Sequence, residues 1–228
     1  MKTSIKLLCL LAIISLTGML SVDGLLKQQY DRIDWSNPYQ NFVVNSLPAL
    51  RHVRISGTPG FVIHLQQNAK SQALLDPDLT GHRFVTTQRG DTLLVVFKTK
   101  DNGWDGPIDK EWEYYRTALV LNLPALSSLS VNNVRVKVSG FETNQLSLIA
   151  HHARLITEKI RVSGTLSMQT ENRAFAILNA YTCGTLRAIV RDSSGVQLDE
   201  IRPNRLITNV ASGGELRIKG NQLGVMKP

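Results

Sequence analysis

A repeat of about twenty residues runs through the chain from Leu126 to Gly220. Each block opens on a leucine, at Leu126, Leu146, Leu166, Leu186 and Leu206. The eleventh position of each block is also apolar and holds Val136, Ile156, Ala176, Val196 and Leu216. A fixed period of this length is typical of stacked supersecondary units, because a single unit cannot bury its apolar face alone.

Apolar residues alternate with polar ones inside the blocks, as at Val134, Val136 and Val138. A period of two places side chains on opposite faces of a β-strand, and no block has the spacing of an amphipathic helix. Leucine-rich repeats need an Asn or Cys at a set position, which these blocks lack. The pattern predicts an all-β fold: a single-stranded right-handed parallel β-helix, or β-solenoid, with roughly 20-residue coils whose leucines stack about 4.8 Å apart.

The thirteenth position of the blocks is mostly apolar too, at Val138, Leu178, Leu198 and Ile218, but Glu158 interrupts the series. Either that coil shifts its register or the carboxylate lies at a corner of the coil.

The N-terminus predicts export. Lys2 and Lys6 precede an uncharged apolar run from Leu7 to Leu20, as in a secretory signal peptide, and this run is short for a membrane span. We expect a periplasmic, cell-surface or secreted protein with no stable membrane span after signal removal. The expected organisation is a signal peptide at 1–24, an N-terminal arm or cap at 25–48, a strand-rich part at 49–125, regular coils at 126–223 and a tail at 224–228.

After removal of the signal peptide, Cys183 is the only cysteine, so no internal disulfide is expected and the thiol is interpreted as a small buried hydrophobe. The formal net charge is +8, but the lysines and arginines are scattered along the chain. This distribution indicates a general preference for anionic surfaces and no nucleic-acid site.

Several segments together resemble a known family. They are ISGxxGFVIHLQQ at 55–67, a Gly-Asp turn followed by TLLVVF, and LVLNLPALSSLSV leading into coils that contain Ser-Gly. Over residues 42 to 223 the chain resembles the putative auto-transporter adhesin head domain family of exported bacterial proteins. The resemblance implies a right-handed β-helix, a periplasmic or cell-surface location and no established catalytic residues.

An aromatic loop at 100–116 interrupts the strand-rich part and contains Trp104, Trp112, Tyr114 and Tyr115 beside five carboxylates. Aromatic faces next to hydrogen-bonding acids are typical of carbohydrate sites, so these four residues are the candidate ligand-binding residues. The alternative is that the loop packs onto the strands as a structural cover.

Other motifs have structural interpretations. Arg89-Gly90-Asp91 matches an integrin-binding tripeptide, but Gly-Asp between two alternating strands is typical of a tight hairpin turn. The histidines, at His52, His64, His82, His151 and His152, lack the spacing of metal ligands and are expected at the surface. No metal site and no cofactor are expected.

Catalysis by a β-helical enzyme would need acids aligned on adjacent coils. Glu158 aligns with Val138 and Leu178, and Asp192 aligns with Asn172, so no acidic cluster forms. The sequence therefore favours an exported non-catalytic binding or adhesion-type domain that recognises a cell-envelope or extracellular glycan or protein. The alternatives are a β-helical polysaccharide lyase or hydrolase and a purely structural envelope protein.

Export is directly testable. Cells that make the full chain should release mature protein without about the first 20 to 24 residues. Mass spectrometry of the periplasmic and secreted fractions measures this. An intact Met1 found in the cytoplasm alone would contradict the prediction.

Overall fold

The computed structural model describes residues 2–35, 37–57, 60–79, 83–98, 116–199 and 201–219. The chain divides into two compact units, Met1–Asn41 and Phe42–Pro228.

The first unit is dominated by helix α1, Lys2–Tyr30. Its segment Ile5–Tyr30 is long and apolar enough to cross a membrane by length and composition, a test that signal sequences also pass. The helix is longer than the apolar run from Leu7 to Leu20 and continues past the expected cleavage region near residue 24. An apolar N-terminal helix of this kind is compatible with a signal sequence.

The second unit is all-β. The described residues contain seventeen strands and a short 3-10 turn, Pro77–Leu79. In chain order the strands are β1 Val43–Ser46, β2 His52–Gly57, β3 Val62–Gln67, β4 Gln72–Leu75, β5 Arg83–Arg89, β6 Thr92–Lys98, β7 Thr117–Leu123, β8 Ser128–Asn132, β9 Arg135–Ser139, β10 Glu142–His151, β11 Arg154–Glu158, β12 Ile160–Glu171, β13 Phe175–Leu178, β14 Ala180–Val190, β15 Gly195–Leu198, β16 Pro203–Val210 and β17 Glu215–Ile218.

These strands form two sheets. The nine-stranded sheet has the order β1-β4-β7-β3-β9-β11-β13-β15-β17, and the eight-stranded sheet has the order β16-β14-β12-β10-β8-β2-β6-β5. From β8 onward the chain passes alternately between the sheets, and each strand pairs in parallel with the strand one repeat away.

The repeat leucines stack on the inner side of the eight-stranded sheet. Leu146, Leu166, Leu186 and Leu206 are successive register partners across β10, β12, β14 and β16. The first three are buried, and Leu206 packs against the core from a half-buried position. Each fully buried leucine contributes about 1.5–3 kcal/mol through removal of apolar surface from water.

The predicted register fails in the second block. Val136 pairs with Leu155 and not with Ile156, and Val138 pairs with Thr157, so Glu158 lies beside Ser139 on the other face of the sheet. Both open explanations for Glu158 hold, because the register shifts and Glu158 is also the last residue of β11, directly before the bend at Lys159, where φ is 54°. On that face its Oε2 forms an ion pair with Lys137 Nζ at 2.8 Å.

The prediction of a single-stranded right-handed parallel β-helix is wrong. The two sheets are mixed: β4 pairs antiparallel with both β1 and β7, and β5 pairs antiparallel with β6. Inner side chains of both sheets share one core. The architecture is therefore all-β with two mixed sheets, closer to a β-sandwich than to a β-helix. The antiparallel strands lie before the repeat begins, so the period of twenty residues gives no information about the direction in which they run.

The Gly-Asp pair forms the turn of the antiparallel hairpin between β5 and β6. Arg89 and Thr92 are register partners across β5 and β6, which leaves Gly90 and Asp91 as a two-residue turn. Gly90 has a φ of 58°, which glycine adopts at the first turn position of such hairpins without steric cost. The hairpin interpretation of the tripeptide is confirmed.

The bends between the two sheets also share a backbone conformation. At these bends, residues spaced about one repeat apart have positive φ values between 44° and 80°. They are Asn133, His152, Asn172, Asp192 and Gly213. Asn and Asp enter this left-handed region more readily than most other residues, and glycine enters it freely.

The core register predicts the effect of a buried charge. Leu166→Asp would place an unpaired carboxylate in the apolar core, so we expect a loss of more than about 5 kcal/mol in the free energy of unfolding. Ser167→Asp is the matched control, because its side chain lies on the outer face beside Arg187. Denaturant unfolding of both variants measures the difference. Equal midpoints would contradict the register.

Candidate functional site: a cationic cleft on the nine-stranded sheet

The aromatic residues predicted to bind ligand are Trp104, Trp112, Tyr114 and Tyr115. All four lie outside the described residues, so their role stays a prediction. The described part of the chain offers a different site, which the sequence did not indicate.

A cleft of about 620 Å³ lies on the outer face of the nine-stranded sheet, over strands β11, β13, β15 and β17. Its volume is within the range of about 300–1,000 Å³ that is typical of ligand sites. The residues that carry its chemistry are Arg154, Arg173, Phe175, Gln197, Arg217 and Lys219.

The centre of the cleft is a row of register partners. Arg154, Phe175, Gly195 and Glu215 occupy equivalent positions on the four strands. The ring of Phe175 lies against Gly195, where a Cβ atom would stand 2.6 Å from Cδ2 and 2.7 Å from Cε2 of the ring. Glycine at this position therefore allows the ring to lie across β15, and a larger residue would displace it.

Two guanidinium groups flank this ring. The Cζ atom of Arg154 lies 5.3 Å from the centroid of Phe175, and the Cζ atom of Arg217 lies 5.7 Å from it. Both distances are typical of cation–π contacts. Arg154 is only 5% exposed, whereas Arg217 is exposed at the rim of the cleft. The sheet thus presents two positive charges around one aromatic ring.

The charge balance of the cleft is strongly positive. Arg173 and Lys219 add two exposed cations, and Glu215 is the one carboxylate among the described lining residues. Glu215 Oε1 accepts a hydrogen bond from Arg217 Nε. This hydrogen bond and the charge of Glu215 raise the pKa of Arg217 above its ordinary value, so the guanidinium stays charged.

Neutral polar groups complete the lining. Ser193, Ser194 and Gln197 line the same cleft. The Ser194 hydroxyl accepts a hydrogen bond from the backbone N–H of Ala174 at 3.1 Å, which fixes its position. The site can therefore hold anionic groups, pair with hydroxyl groups and contact an apolar surface.

Two serine–histidine contacts bear on the question of catalysis. His64 Nε2 lies 2.7 Å from Ser139 Oγ, and His52 Nδ1 lies 2.7 Å from Ser128 Oγ. His52 Nε2 is 3.6 Å from Asp91 Oδ2, beyond hydrogen-bond distance. A nucleophilic triad needs the third group to orient the base through a hydrogen bond. His52, Ser128 and Asp91 do not meet this requirement, and the absence of enzymatic activity stays a prediction.

His64 is not at the surface, which corrects the prediction for this histidine. It is 8% exposed on β3, and its pKa is lowered to about 4, first by burial and then by the charge of Lys137, while Glu158 opposes the shift. Among the described residues no group of three or more His, Cys, Asp or Glu side chains is arranged to hold a metal ion. His82 lies outside them.

Cys183 is buried on β14. Its pKa is raised to about 11, mainly by burial, so the side chain remains a neutral thiol and packs as a small apolar group.

No family model and no curated protein matches the chain. Among solved structures, it is similar to a Bacteroides fragilis protein described as a putative adhesin, with 10% identity, coverage of 79% of this chain and 98% of that one, and a TM-score of 0.35. It is also similar to a Clostridium sporogenes protein described as a putative cell adhesion protein, with 8% identity, coverage of 78% of this chain and 97% of that one, and a TM-score of 0.30. A Parabacteroides merdae protein described as a putative adhesin has 10% identity, coverage of 78% of this chain and 95% of that one, and a TM-score of 0.32. At these TM-scores the likeness carries no argument about fold or function.

The buried His64 predicts a dependence of stability on pH. The unfolded chain binds a proton at this histidine near pH 6.5, whereas the folded protein binds it only near pH 4. The free energy of unfolding should therefore fall as the pH is lowered from 6.5 to 4, by roughly 3 kcal/mol, and then level off.

His64→Gln removes the titrating group and serves as the reference. Denaturant unfolding at several pH values measures the difference between the two proteins. Parallel curves between pH 6.5 and 4 would show that His64 is not protected from protonation.

Proposed function

We propose that this chain is an exported, non-catalytic binding protein of the adhesion type, and that the cleft on its nine-stranded sheet is the binding site. The observation that carries the proposal is the pairing of Arg154 and Arg217 with the ring of Phe175 on one open sheet face. Its ligand belongs to the cell envelope or the extracellular medium. The apolar N-terminal helix, which is compatible with a signal sequence, supports the export of the protein.

The chemistry of the cleft favours recognition over turnover. Arginine side chains stay protonated in proteins, so Arg154, Arg173 and Arg217 are poor general acids or bases. The carboxylate of Glu215 is engaged by Arg217. What the cleft supplies is fixed positive charge, an aromatic surface and hydrogen-bonding side chains, which suit the binding of a polar ligand that carries negative charge.

Most of the site stands on strands. Phe175 and Arg217 are held by parallel ladders on β13 and β17 and not by long loops. The backbone of a paired strand is already ordered, so a ligand has to order only the side chains, which lowers the entropic cost of association. The rigid framework is consistent with a site that is formed before the ligand arrives.

The test compares two double variants of the mature protein, from which the signal peptide has been removed. Arg217→Gln with Lys219→Gln removes two cations from the cleft, whereas Arg187→Gln with Arg205→Gln removes two exposed cations from the eight-stranded sheet. Both carry the same change of net charge. On a glycan array and on immobilised envelope fractions we expect the cleft variant to bind at least about tenfold more weakly than the wild type, or about 1.4 kcal/mol.

The control variant should keep wild-type binding. Equal losses in both variants would show that the cleft has no special role and that binding follows net charge alone. A wild-type protein that binds nothing on either surface would contradict the proposed function.

A further inference from the structure

The repeat ends at β16 in one sheet and at β17 in the other, and the core is less well covered there than elsewhere. We propose that the chain's own C-terminal residues 223–226 add a further strand to the outer edge of β16 and cover this end of the core. These residues lie outside the described part of the chain. The inference goes beyond the binding role of the cleft and does not depend on it.

The last repeat leaves its inner side chains partly exposed. Val190 on β14 is buried, whereas its register partner Val210 on β16 is 41% exposed. In the other sheet Leu198 on β15 is buried, but its partner Ile218 on β17 is only half-buried. Among the described strands β16 and β17 are the outermost of this end. Apolar groups beside an open strand edge favour the pairing of a further strand.

The repeat continues into the C-terminal residues. Leu186 and Leu206 are register partners with inner side chains, and the next position of this series, twenty residues on, is Met226. Pro203 is buried three residues before Leu206, and the residue twenty positions after it is Leu223. A strand at 223–226 that kept the register of β14 and β16 would therefore turn Leu223 and Met226 towards the core.

The residue after Leu223 suits close pairing. At the equivalent position of β14, a Cβ atom on Gly184 would lie 2.5 Å from the carbonyl oxygen atoms of Ser163 and Gly164, so glycine allows the two strands to approach there. Gly224 lies forty residues after Gly184, and Asn204 holds the position between them. A strand that contains Gly224 can approach β16 as closely as β14 approaches β12.

The connecting length matches as well. Four residues, 199–202, join β15 to β16, and the same number, 219–222, would join β17 to a strand that begins at residue 223. Because the strands from β8 onward alternate between the sheets, the strand after β17 belongs to the eight-stranded sheet. Its place in that sheet is beside β16.

The added strand would leave a better protected edge. β16 carries Ile207 and Val210, which are 40% and 41% exposed, so an uncovered β16 would favour association with another chain. Residues 223–226 are followed by Lys227 and Pro228. Sheets commonly end on short strands with lysine or proline, because charge and the missing N–H of proline oppose further pairing.

A second copy of the chain is a weaker candidate for the same edge. Residue 223 is joined to β17 by four residues, so its pairing with β16 costs only the closure of a short loop. A second copy would lose translational and rotational freedom on binding. The chain's own C-terminal residues are therefore favoured over another molecule.

Cysteine pairs in the mature protein test the predicted register. Arg205→Cys with Val225→Cys places two thiols at paired outer positions, with Cα atoms about 4.8 Å apart, inside the range of about 4.4–6.8 Å that a disulfide spans. Asn209→Cys with Val225→Cys is the control, because it keeps the same C-terminal cysteine and moves its partner four residues along β16. Cys183 is present in both variants and is buried.

Under mild oxidation, we expect the pair at 205 and 225 to form a disulfide within one chain at least about tenfold faster than the pair at 209 and 225. Mass spectrometry and non-reducing electrophoresis measure both rates. Equal rates would overturn the register and the added strand. A disulfide that joins two chains would assign the edge to a second copy and overturn the proposed occupant.

Two single variants test which side chain faces the core. Met226→Asp places a charge at the inner position, so we expect the thermal unfolding midpoint to fall by at least about 3 °C. Val225→Asp adds the same charge one residue away on the outer face and should keep the wild-type midpoint. Equal midpoints in the two variants would overturn the inner placement of Met226.

The same two variants test whether these residues protect the edge. Met226→Asp should raise the average particle mass in light scattering above that of the wild type, because β16 becomes available to a second chain. Val225→Asp should keep the wild-type mass. Equal masses in all three proteins would overturn the protective role of residues 223–226.

Discussion

The parallel pairing of strands one repeat apart is the interaction on which the rest of the β unit depends. Each ladder satisfies the backbone hydrogen bonds of its strands and at the same time brings equivalent side chains to about 4.8 Å from one another. On the inner faces this spacing stacks Leu146, Leu166 and Leu186 into one column. Because the strands alternate between the sheets, inner side chains of both sheets meet in one core.

The same ladder builds the outer face. Arg154, Phe175 and Gly195 are distant in the chain but adjacent across three strands. The outer side chains can vary without a loss of core burial, since inner and outer positions alternate along each strand. A binding surface can therefore change its charges and its aromatic groups while the core stays the same. This separation explains why a cluster of arginines is tolerated in a fold that contains an apolar core.

The fold prediction failed in the strands that precede the repeat. The period of twenty indicates parallel pairing, and the ladders from β8 to β17 have it. The earlier strands carry no such period, and two of their connections reverse the chain, as at Gly90. An alternating strand looks the same in a parallel and in an antiparallel neighbourhood. The residues at 43–98 therefore gave no support for a β-helix that continues through the whole chain.

By itself, the sequence determined the strands, their inner apolar faces outside β11, the hairpin turn at Gly90 and the apolar N-terminal segment. These features depend on local alternation, turn chemistry and composition. Only the tertiary structure decided the mixed sheets and the cleft. Arg135 pairs with Arg154 after nineteen residues, and Arg154 pairs with Phe175 after twenty-one, so a strict period of twenty does not align them. Which outer side chains become neighbours depends on these small slips in strand pairing, and they are settled by the packing of the core.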